Sequence, residues 1–178
     1  MKTSIALIGF MGTGKTVVGK ALAWKLNREF VELDTLIEQK AGKPIPEIFQ
    51  QDGEVAFREL EIEVAKEVSG NKNQVIACGG GVVLNKINID RLKKDSVIVY
   101  LTASPQVILE RVSDGGDGWE RPLLKASNKA EKIQELLRFR KPFYEQAADI
   151  RVNTSKLDIG AVAEQIINKV KQVENFSL

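Results

Sequence analysis

Gly9, Gly14, Lys15 and Thr16 carry the spacing G-x-x-x-x-G-K-[ST], and the chemistry of that spacing is the holding of a polyphosphate. Backbone N–H groups of such a loop surround phosphate oxygens, and the lysine reaches the outer phosphates. Gly9, Gly12 and Gly14 allow a close approach of backbone to anion that a Cβ would block. A helix beginning near Lys15 adds the positive end of its dipole. Thr16 offers a hydroxyl to Mg²⁺, an ion that takes oxygen ligands and keeps several waters. The motif lies within residues 5–20, where an apolar run breaks into glycines and then into a helical pattern. That strand, loop and helix start form the context the mechanism requires.

Three further stretches bear chemistry. In Phe30-Val-Glu-Leu-Asp-Thr35, Glu32 and Asp34 stand two residues apart, a spacing that on a strand puts both carboxylates on one side. Ligands of an α/β sheet bind at the carboxyl ends of its strands, which places Asp34 within reach of the phosphate or its acceptor. The alternative is that Asp34 caps a helix over residues 35–41. In Asp52-Gly-Glu-Val-Ala-Phe-Arg-Glu-Leu-Glu61, Arg58 adjoins Phe57 and has Glu54 and Glu61 at helical spacing. Taken alone, Arg58 reads as a surface ion-pair partner. Val75-Ile-Ala-Cys-Gly-Gly-Gly-Val82 is a buried-strand pattern ending in Gly79, Gly80 and Gly81. Three glycines there serve either a close approach to a ligand or a tight turn. Cys78 reads as a small core residue.

These residues must be positioned by alternating short apolar runs and longer amphipathic ones, the signature of a parallel sheet with helices on both faces. Strands are predicted at 3–8, 30–33, 74–78, 97–101 and 150–152. Helices are predicted at 15–27, 35–41, 53–69, 86–94, 104–113, 128–147 and 157–173. The polar, glycine-rich Ser113-Asp-Gly-Gly-Asp-Gly-Trp119 joins two helical patterns and reads as a mobile loop or lid. No repeat or Pro/Gly/Ser-rich linker divides the chain, whose 178 residues suit one domain.

Composition excludes several classes. A net charge of +2 gives no coat for nucleic acid and no membrane-surface patch, so basic sites must be local. Nothing approaches the roughly twenty apolar residues of a membrane span. The start resembles a signal peptide only superficially, since its apolar run is about five residues long before it enters the phosphate loop. A single cysteine suits a reducing compartment, and a cytoplasmic location is expected. The chain has no histidine, so a general base must be a carboxylate and an all-protein zinc site is disfavoured.

Taken together, the motifs resemble the shikimate kinases, phosphoryl-transfer enzymes with a nucleoside-monophosphate-kinase-like fold. The resemblance runs from about Ile5 to Lys171. It rests on Gly9-Phe-Met-Gly-Thr-Gly-Lys-Thr16, Leu33-Asp-Thr-Leu-Ile-Glu38, Ile48-Phe49, Gly53-Glu-Val-Ala-Phe-Arg58 with Glu61, Gly79-Gly-Gly81, Arg121-Pro-Leu-Leu124 and Arg138-Phe-Arg-Lys-Pro-Phe-Tyr144. The fold it implies is an α/β three-layer sandwich with a five-stranded parallel sheet in the order 2-3-1-4-5, helices on both faces and a mobile lid. The whole of 1–178 would be one domain, with a substrate-binding segment at about 33–61 and the lid at about 113–125. The activity it implies is transfer of the γ-phosphoryl group of MgATP to the 3-hydroxyl of shikimate, on the way to chorismate and the aromatic amino acids.

Carried across residue by residue, the resemblance gives Asp34, Lys15 and Arg121 to catalysis. Asp34 would hold the acceptor hydroxyl, while Lys15 and Arg121 bear on the transferred phosphoryl. ATP would meet Gly12, Thr13, Gly14, Lys15, Thr16, Arg111, Arg121 and Lys156. Shikimate would meet Asp34, Arg58 and Arg140, the triplet Gly79, Gly80 and Gly81, and an apolar wall of Ile45, Phe49, Phe57, Pro122 and Leu123. Mg²⁺ would be held by Thr16 and, through water, by Glu32. No nucleic acid or membrane partner is implied, and a monomer is expected. The residues support the same assignment: a small carboxylate substrate calls for the bidentate fork of arginine, and phosphoryl transfer calls for positioning and charge. Two departures stand out. The family shows Asp-x-Asp where this chain has Glu32-Leu-Asp34, and the lid stretch with Asp114, Asp117 and Trp119 is longer than in compact members.

Three rivals share parts of the pattern. Another small-molecule kinase, such as a gluconate or nucleoside monophosphate kinase, shares the loop but not the glycine triplet with Phe57-Arg58. A GTP switch is suggested by Asn85-Lys86-Ile87-Asn88, which lacks the aspartate that receives guanine. A nucleotide-binding regulatory module without activity would not need Lys15, Asp34, Arg58, Arg121 and Arg140 together.

Overall fold

The computed structural model describes residues 1–113, 128–156 and 158–177. Five parallel strands, β1 (Ser4–Ile8), β2 (Glu29–Glu32), β3 (Gln74–Ala77), β4 (Ser96–Thr102) and β5 (Ile150–Asn153), form one sheet in the order β2-β3-β1-β4-β5. The sheet is therefore the one the resemblance implies. The lid about 113–125 lies outside the described residues from 114 onward.

Strand β1 shows why the sheet is buried on both sides. It is five apolar or small residues, all inaccessible, with Ile5 facing Val75 of β3 and Val97 of β4 across the ladder. Successive side chains point to opposite faces. Ala6 and Ile8 join Ile76, Ile98 and Tyr100 in one apolar cluster, while Ile5 and Leu7 join Val75, Val97 and Val99 in the other. The second cluster is covered by α1 (Lys15–Leu26) and α8 (Ile159–Val170). The first is covered by α2 (Leu33–Ala41), α3 (Ile45–Gln51), α4 (Gly53–Val68), α5 (Lys86–Asp95), α6 (Pro105–Ser113) and α7 (Lys129–Ala147).

Sequence and structure differ at several boundaries. Helix α2 begins at Leu33, because β2 ends at Glu32 and the chain turns helical at once. Asp34 thus sits in the first turn of a helix, and the period-two argument that paired it with Glu32 on a strand does not apply. Helix α3 is absent from the expected elements. Seven residues are too few to display a 3.6-residue period, and its start is fixed from a distance, by the Ile45 N–H donating to Glu38 Oε1 at 2.7 Å. Helix α8 starts at Ile159, where Asp158 Oδ1 accepts from the Ala161 N–H at 2.8 Å, and Leu157 lies outside the described residues.

Candidate active site

All five strands end on the same edge, and the phosphate loop follows β1 there. Gly14 caps α1 with φ of 94°, a backbone conformation that side-chain-bearing residues rarely adopt. Lys15 Nζ donates to the carbonyls of Gly9 and Phe10, each at 2.9 Å, which folds the ammonium over the loop. The Thr13 hydroxyl, almost wholly buried, ties back to the Phe10 carbonyl at 2.8 Å. The Thr16 hydroxyl donates to Glu32 Oε1, while Glu32 Oε2 accepts from the Thr35 hydroxyl at 3.3 Å. The extra methylene that separates Glu32 from an aspartate is what carries its carboxylate from the end of β2 to the first turn of α1.

Arg111 lies on the far side of the loop. Its Nη1 donates to the Gly12 carbonyl at 3.1 Å, and its Nη2 donates to the Thr154 carbonyl at 2.7 Å. The Thr154 side chain, 3% exposed, donates in turn to the Thr13 carbonyl at 2.8 Å. Thr154 was not foreseen, since a threonine just past a strand carries no pattern. Lys156 stands apart from these bonds. It lines a cavity of about 570 Å³ with Ser104, Val107, Asn153, Ser155 and Gln165.

The glycine triplet forms the floor of the second half of the site. A Cβ at Gly79 would lie 2.8 Å from Asp34 Oδ1 and 3.2 Å from Glu61 Oε1. At Gly80 it would lie 3.5 Å from Arg140 Nη1, and at Gly81 2.5 Å from Arg58 Nη2. Gly79 and Gly81 therefore give their space to ionic groups expected at the substrate, while at Gly80 a Cβ would stand in ordinary contact with Arg140. Close approach of side chains to the backbone, rather than a plain turn, explains the triplet, although a 3₁₀ turn over Val82–Leu84 follows it.

Arg58 is held from two sides: Nη1 meets Glu61 Oε2 at 3.0 Å and Nη2 meets Glu54 Oε1 at 3.2 Å. The surface-pair reading and the site reading thus coexist, because one face of the guanidinium lies over Gly81 while its edge is paired along α4. Its Cζ stands 5.1 Å from the centre of the Phe57 ring, and Phe57 packs on Phe49 with ring centres 4.8 Å apart. Ile45, buried, belongs to the same apolar cluster. Arg121, Pro122 and Leu123 lie outside the described residues.

Glu61, a helical neighbour of Arg58 and part of a motif that carries the resemblance, lies buried beside the glycine triplet. Its side chain is 1% exposed, and burial pushes its carboxyl up to about 7 against the opposing pull of Arg58, with Asp34 adding to the rise. Its Oε1 makes no hydrogen bond among the described residues. Arg140 is also buried, at 3% exposure, with its guanidinium 5.9 Å from the Phe10 ring centre. One turn later on α7, the fully buried Tyr144 donates its hydroxyl proton to the Gly80 carbonyl. Burial pushes that hydroxyl well above the usual tyrosine range, so it stays a neutral donor. Burial does the same to the Cys78 thiol, consistent with a core role.

The Asn85–Asn88 stretch is accounted for by structure. Asn85 Oδ1 accepts from the Ile87 N–H at 3.4 Å, Lys86 pairs with Asp90 at 2.5 Å, and the Asn88 amide donates to the Val82 carbonyl at 3.4 Å. They build the start of α5 and leave nothing of a guanine reader.

The geometry thus joins an anion-binding loop to a pocket holding a carboxylate and two guanidinium groups. The family model described as shikimate kinase matches residues 11–171. A shikimate kinase of Thermodesulfovibrio yellowstonii is 49% identical over 97% of each chain, and one of Caldanaerobacter subterraneus subsp. tengcongensis is 47% identical over 92% of this chain and 94% of its own. The structure of a shikimate kinase from Acinetobacter baumannii in complex with shikimate superimposes with a TM-score of 0.91. It is 35% identical and covers 98% of this chain and 96% of its own.

Proposed function

The chain belongs to the shikimate kinase family, and we propose that Asp34, Arg58 and Arg140, gathered over the glycine triplet, form the acceptor half of its active site. The reaction is that of the family: the γ-phosphoryl group of ATP passes to the 3-hydroxyl of shikimate, giving shikimate 3-phosphate and ADP in the pathway to chorismate. The observation that carries the residue assignment is the triplet itself, which brings one carboxylate and two guanidinium groups from three helices to one floor.

Each group then has a task. Arg58 and Arg140 present forked donors to the substrate carboxylate, and their positive charge offsets its desolvation. Phe49, Phe57 and Ile45 wall the ring. Asp34 accepts a hydrogen bond from the attacking hydroxyl and takes its proton as the bond to phosphorus forms. Gly12, Thr13, Gly14, Lys15 and Thr16 hold the triphosphate, and Lys15 Nζ, already directed at the loop, follows the negative charge onto the transferred group. Arg111 braces the loop from the nucleotide side. Lys156 is assigned to the nucleotide end, and Arg121, Pro122 and Leu123 to the lid, by resemblance.

An oxygen-ligand Mg²⁺ fits the pair Thr16 and Glu32, whose hydroxyl and carboxylate already touch, with phosphate oxygens and water completing the shell. Bound there, the ion would neutralise charge on the β- and γ-phosphates. Among the described residues no three Asp, Glu, Cys or His side chains cluster as an all-protein metal site. We further take 1–178 as one domain acting as a monomer, since the loop, Asp34, Arg58 and Arg140 meet within one chain. A cytoplasmic setting agrees with the use of ATP and with the single thiol. Among the described residues no helix is long and apolar enough to cross a membrane.

A coupled ADP-release assay tests the assignment. ADP should appear only with shikimate present, and ³¹P NMR should show a phosphate ester on the 3-oxygen. ADP release indifferent to shikimate would overturn it.

A further inference from the structure

The carbonyls of the glycine triplet are tied in an uneven way. Gly79 and Gly81 accept locally, from the N–H groups of Val82 at 3.1 Å and Leu84 at 3.0 Å. The Gly80 carbonyl instead accepts from the Tyr144 hydroxyl, 64 residues away in sequence. Glycine has no side chain to lock its dihedrals, so a triplet of them stays in one arrangement only if its peptide groups are held from outside. Tyr144 is well fixed for that purpose. It is fully buried, its ring stacks on Tyr100 with centres 5.0 Å apart, and the Arg151 guanidinium lies 5.6 Å from the Tyr100 ring centre on the strand behind.

Arg140 precedes Tyr144 by four residues on α7, so the two share one helix face. The guanidinium lies against Gly80, with Nη1 3.5 Å from the position a Cβ would take there. The guanidinium also meets Tyr144 directly, donating a hydrogen bond to the phenol oxygen. The Phe10 ring is a soft contact at 5.9 Å, and Nε makes no hydrogen bond among the described residues. The Tyr144 hydroxyl therefore stands between the two, donating to the Gly80 carbonyl while its oxygen accepts from the Arg140 guanidinium.

We propose that Tyr144 is a positioning residue for shikimate binding: its hydroxyl ties the Gly80 carbonyl to the Arg140 guanidinium and so presets the pocket for the substrate carboxylate. The inference rests on the assignment of Arg140 to that carboxylate. Tyr144 itself touches no reacting atom. Its effect is on where Arg140 and Gly80 stand before substrate arrives.

Tyr144→Phe removes one oxygen and keeps the ring, its stack and its volume. The KM for shikimate should rise about tenfold, the scale of one buried hydrogen bond with its acceptor left unsatisfied. The KM for ATP should hold and kcat should change less than twofold. In an Arg140→Ala background the same substitution should raise the shikimate KM by no more than about twofold, because the two act through one contact. Equal tenfold effects in both backgrounds, or parallel changes in both KM values, would overturn the proposal in favour of a general packing role. If Arg140→Ala alone left the shikimate KM unchanged, the assignment of Arg140 would fail first. If Arg140→Ala raised it while Tyr144→Phe did not, only the role of Tyr144 would fail. A readout on the unsubstituted side-chain set guards against a variant that does not fold. The chain has two tyrosines, so 3-fluorotyrosine labelling gives two ¹⁹F resonances, assigned with Tyr100→Phe. Saturating shikimate should shift the Tyr144 signal and ATP alone should not. A Tyr144 signal blind to shikimate would also overturn the proposal.

Discussion

Along residues 9–16 the anion site is consecutive backbone and one helix start. The acceptor pocket instead draws Asp34 from α2, Arg58 and Glu61 from α4, Gly79, Gly80 and Gly81 from the end of β3, and Arg140 and Tyr144 from α7. The loop binds through N–H groups that every residue possesses, so its specificity for phosphate comes from chain path. The pocket binds through ionised side chains held by other side chains, as Arg58 is by Glu54 and Glu61. The first arrangement suits any nucleoside triphosphate, whereas the second suits one small carboxylate. A nucleotide site can therefore be inherited whole across many kinases, while the acceptor site has to be built anew around it.

If the two halves are separable in this way, damage to the pocket should spare ATP. The largest effect belongs to Asp34→Asn, which keeps shape and removes the base. We expect kcat to fall by about 10² or more with ATP binding unchanged in equilibrium titration. Turnover near that of the parent would remove Asp34 from its role. Next come Arg58→Ala and Arg140→Ala. Each should raise the shikimate KM on the order of 30- to 150-fold, the equivalent of about 2 to 3 kcal/mol for a charge-assisted bond. They should differ in stability, because Arg58→Ala also strips the buried Glu61 of its cation. A thermal melt should show the larger loss for Arg58→Ala, and equal losses would mean that the pair adds nothing to the fold.

A smaller change probes the floor. A Cβ at Gly81 would crowd Arg58 Cζ at 2.6 Å, and the crowded group is the far end of a flexible side chain. Gly81→Ala should therefore fold, displace the guanidinium and raise the shikimate KM about tenfold, comparable to one lost hydrogen bond, with the ATP KM unmoved. A normal shikimate KM would show that Arg58 binds from a second position.

A last probe reads stability against pH. With its carboxyl raised to about 7 in the fold from an ordinary value of 4.5, Glu61 binds its proton more tightly folded than unfolded. Its contribution is thus complete below about 4.5 and is lost as pH rises through about 7. Relative to Glu61→Gln, the parent should lose ground in denaturant titrations across that window. A difference that stays constant with pH would place the Glu61 carboxyl at its ordinary value.

The same division explains what could be read from the sequence. The loop was legible because Gly9, Gly14, Lys15 and Thr16 are contiguous and their chemistry needs no partner. The five strands were legible to within two residues: β1 and β4 as continuous apolar runs, and the shorter β2, β3 and β5 by their places between helical patterns. Arg58 was ambiguous by spacing alone, since Glu54 and Glu61 are helical neighbours on any helix. Tyr144 entered only as the last residue of the Arg138–Tyr144 stretch that carried the resemblance, and Thr154 bore no local sign at all. Their partners, Gly80 and Thr13, lie 64 and 141 residues away, and only the sheet order brings them together. Helix α3 escaped for a related reason, as its start depends on Glu38 from the preceding helix.

The Thr154 bonds have a consequence for the order in which the protein is completed during synthesis. A nascent chain long enough to expose residues 1–113 already contains the whole G-x-x-x-x-G-K-T motif and three of the strands that flank one another, β2, β3 and β1, together with β4. The loop then has the Arg111 bond to the Gly12 carbonyl but not the bonds of Thr154, which follows β5 at the edge of the sheet and ties the Thr13 carbonyl and the Arg111 guanidinium. Contacts of such long sequence separation form late, after shorter loops have closed. The hydrogen bonding around the phosphate loop is thus completed only when β5, the last strand in chain order, has left the ribosome.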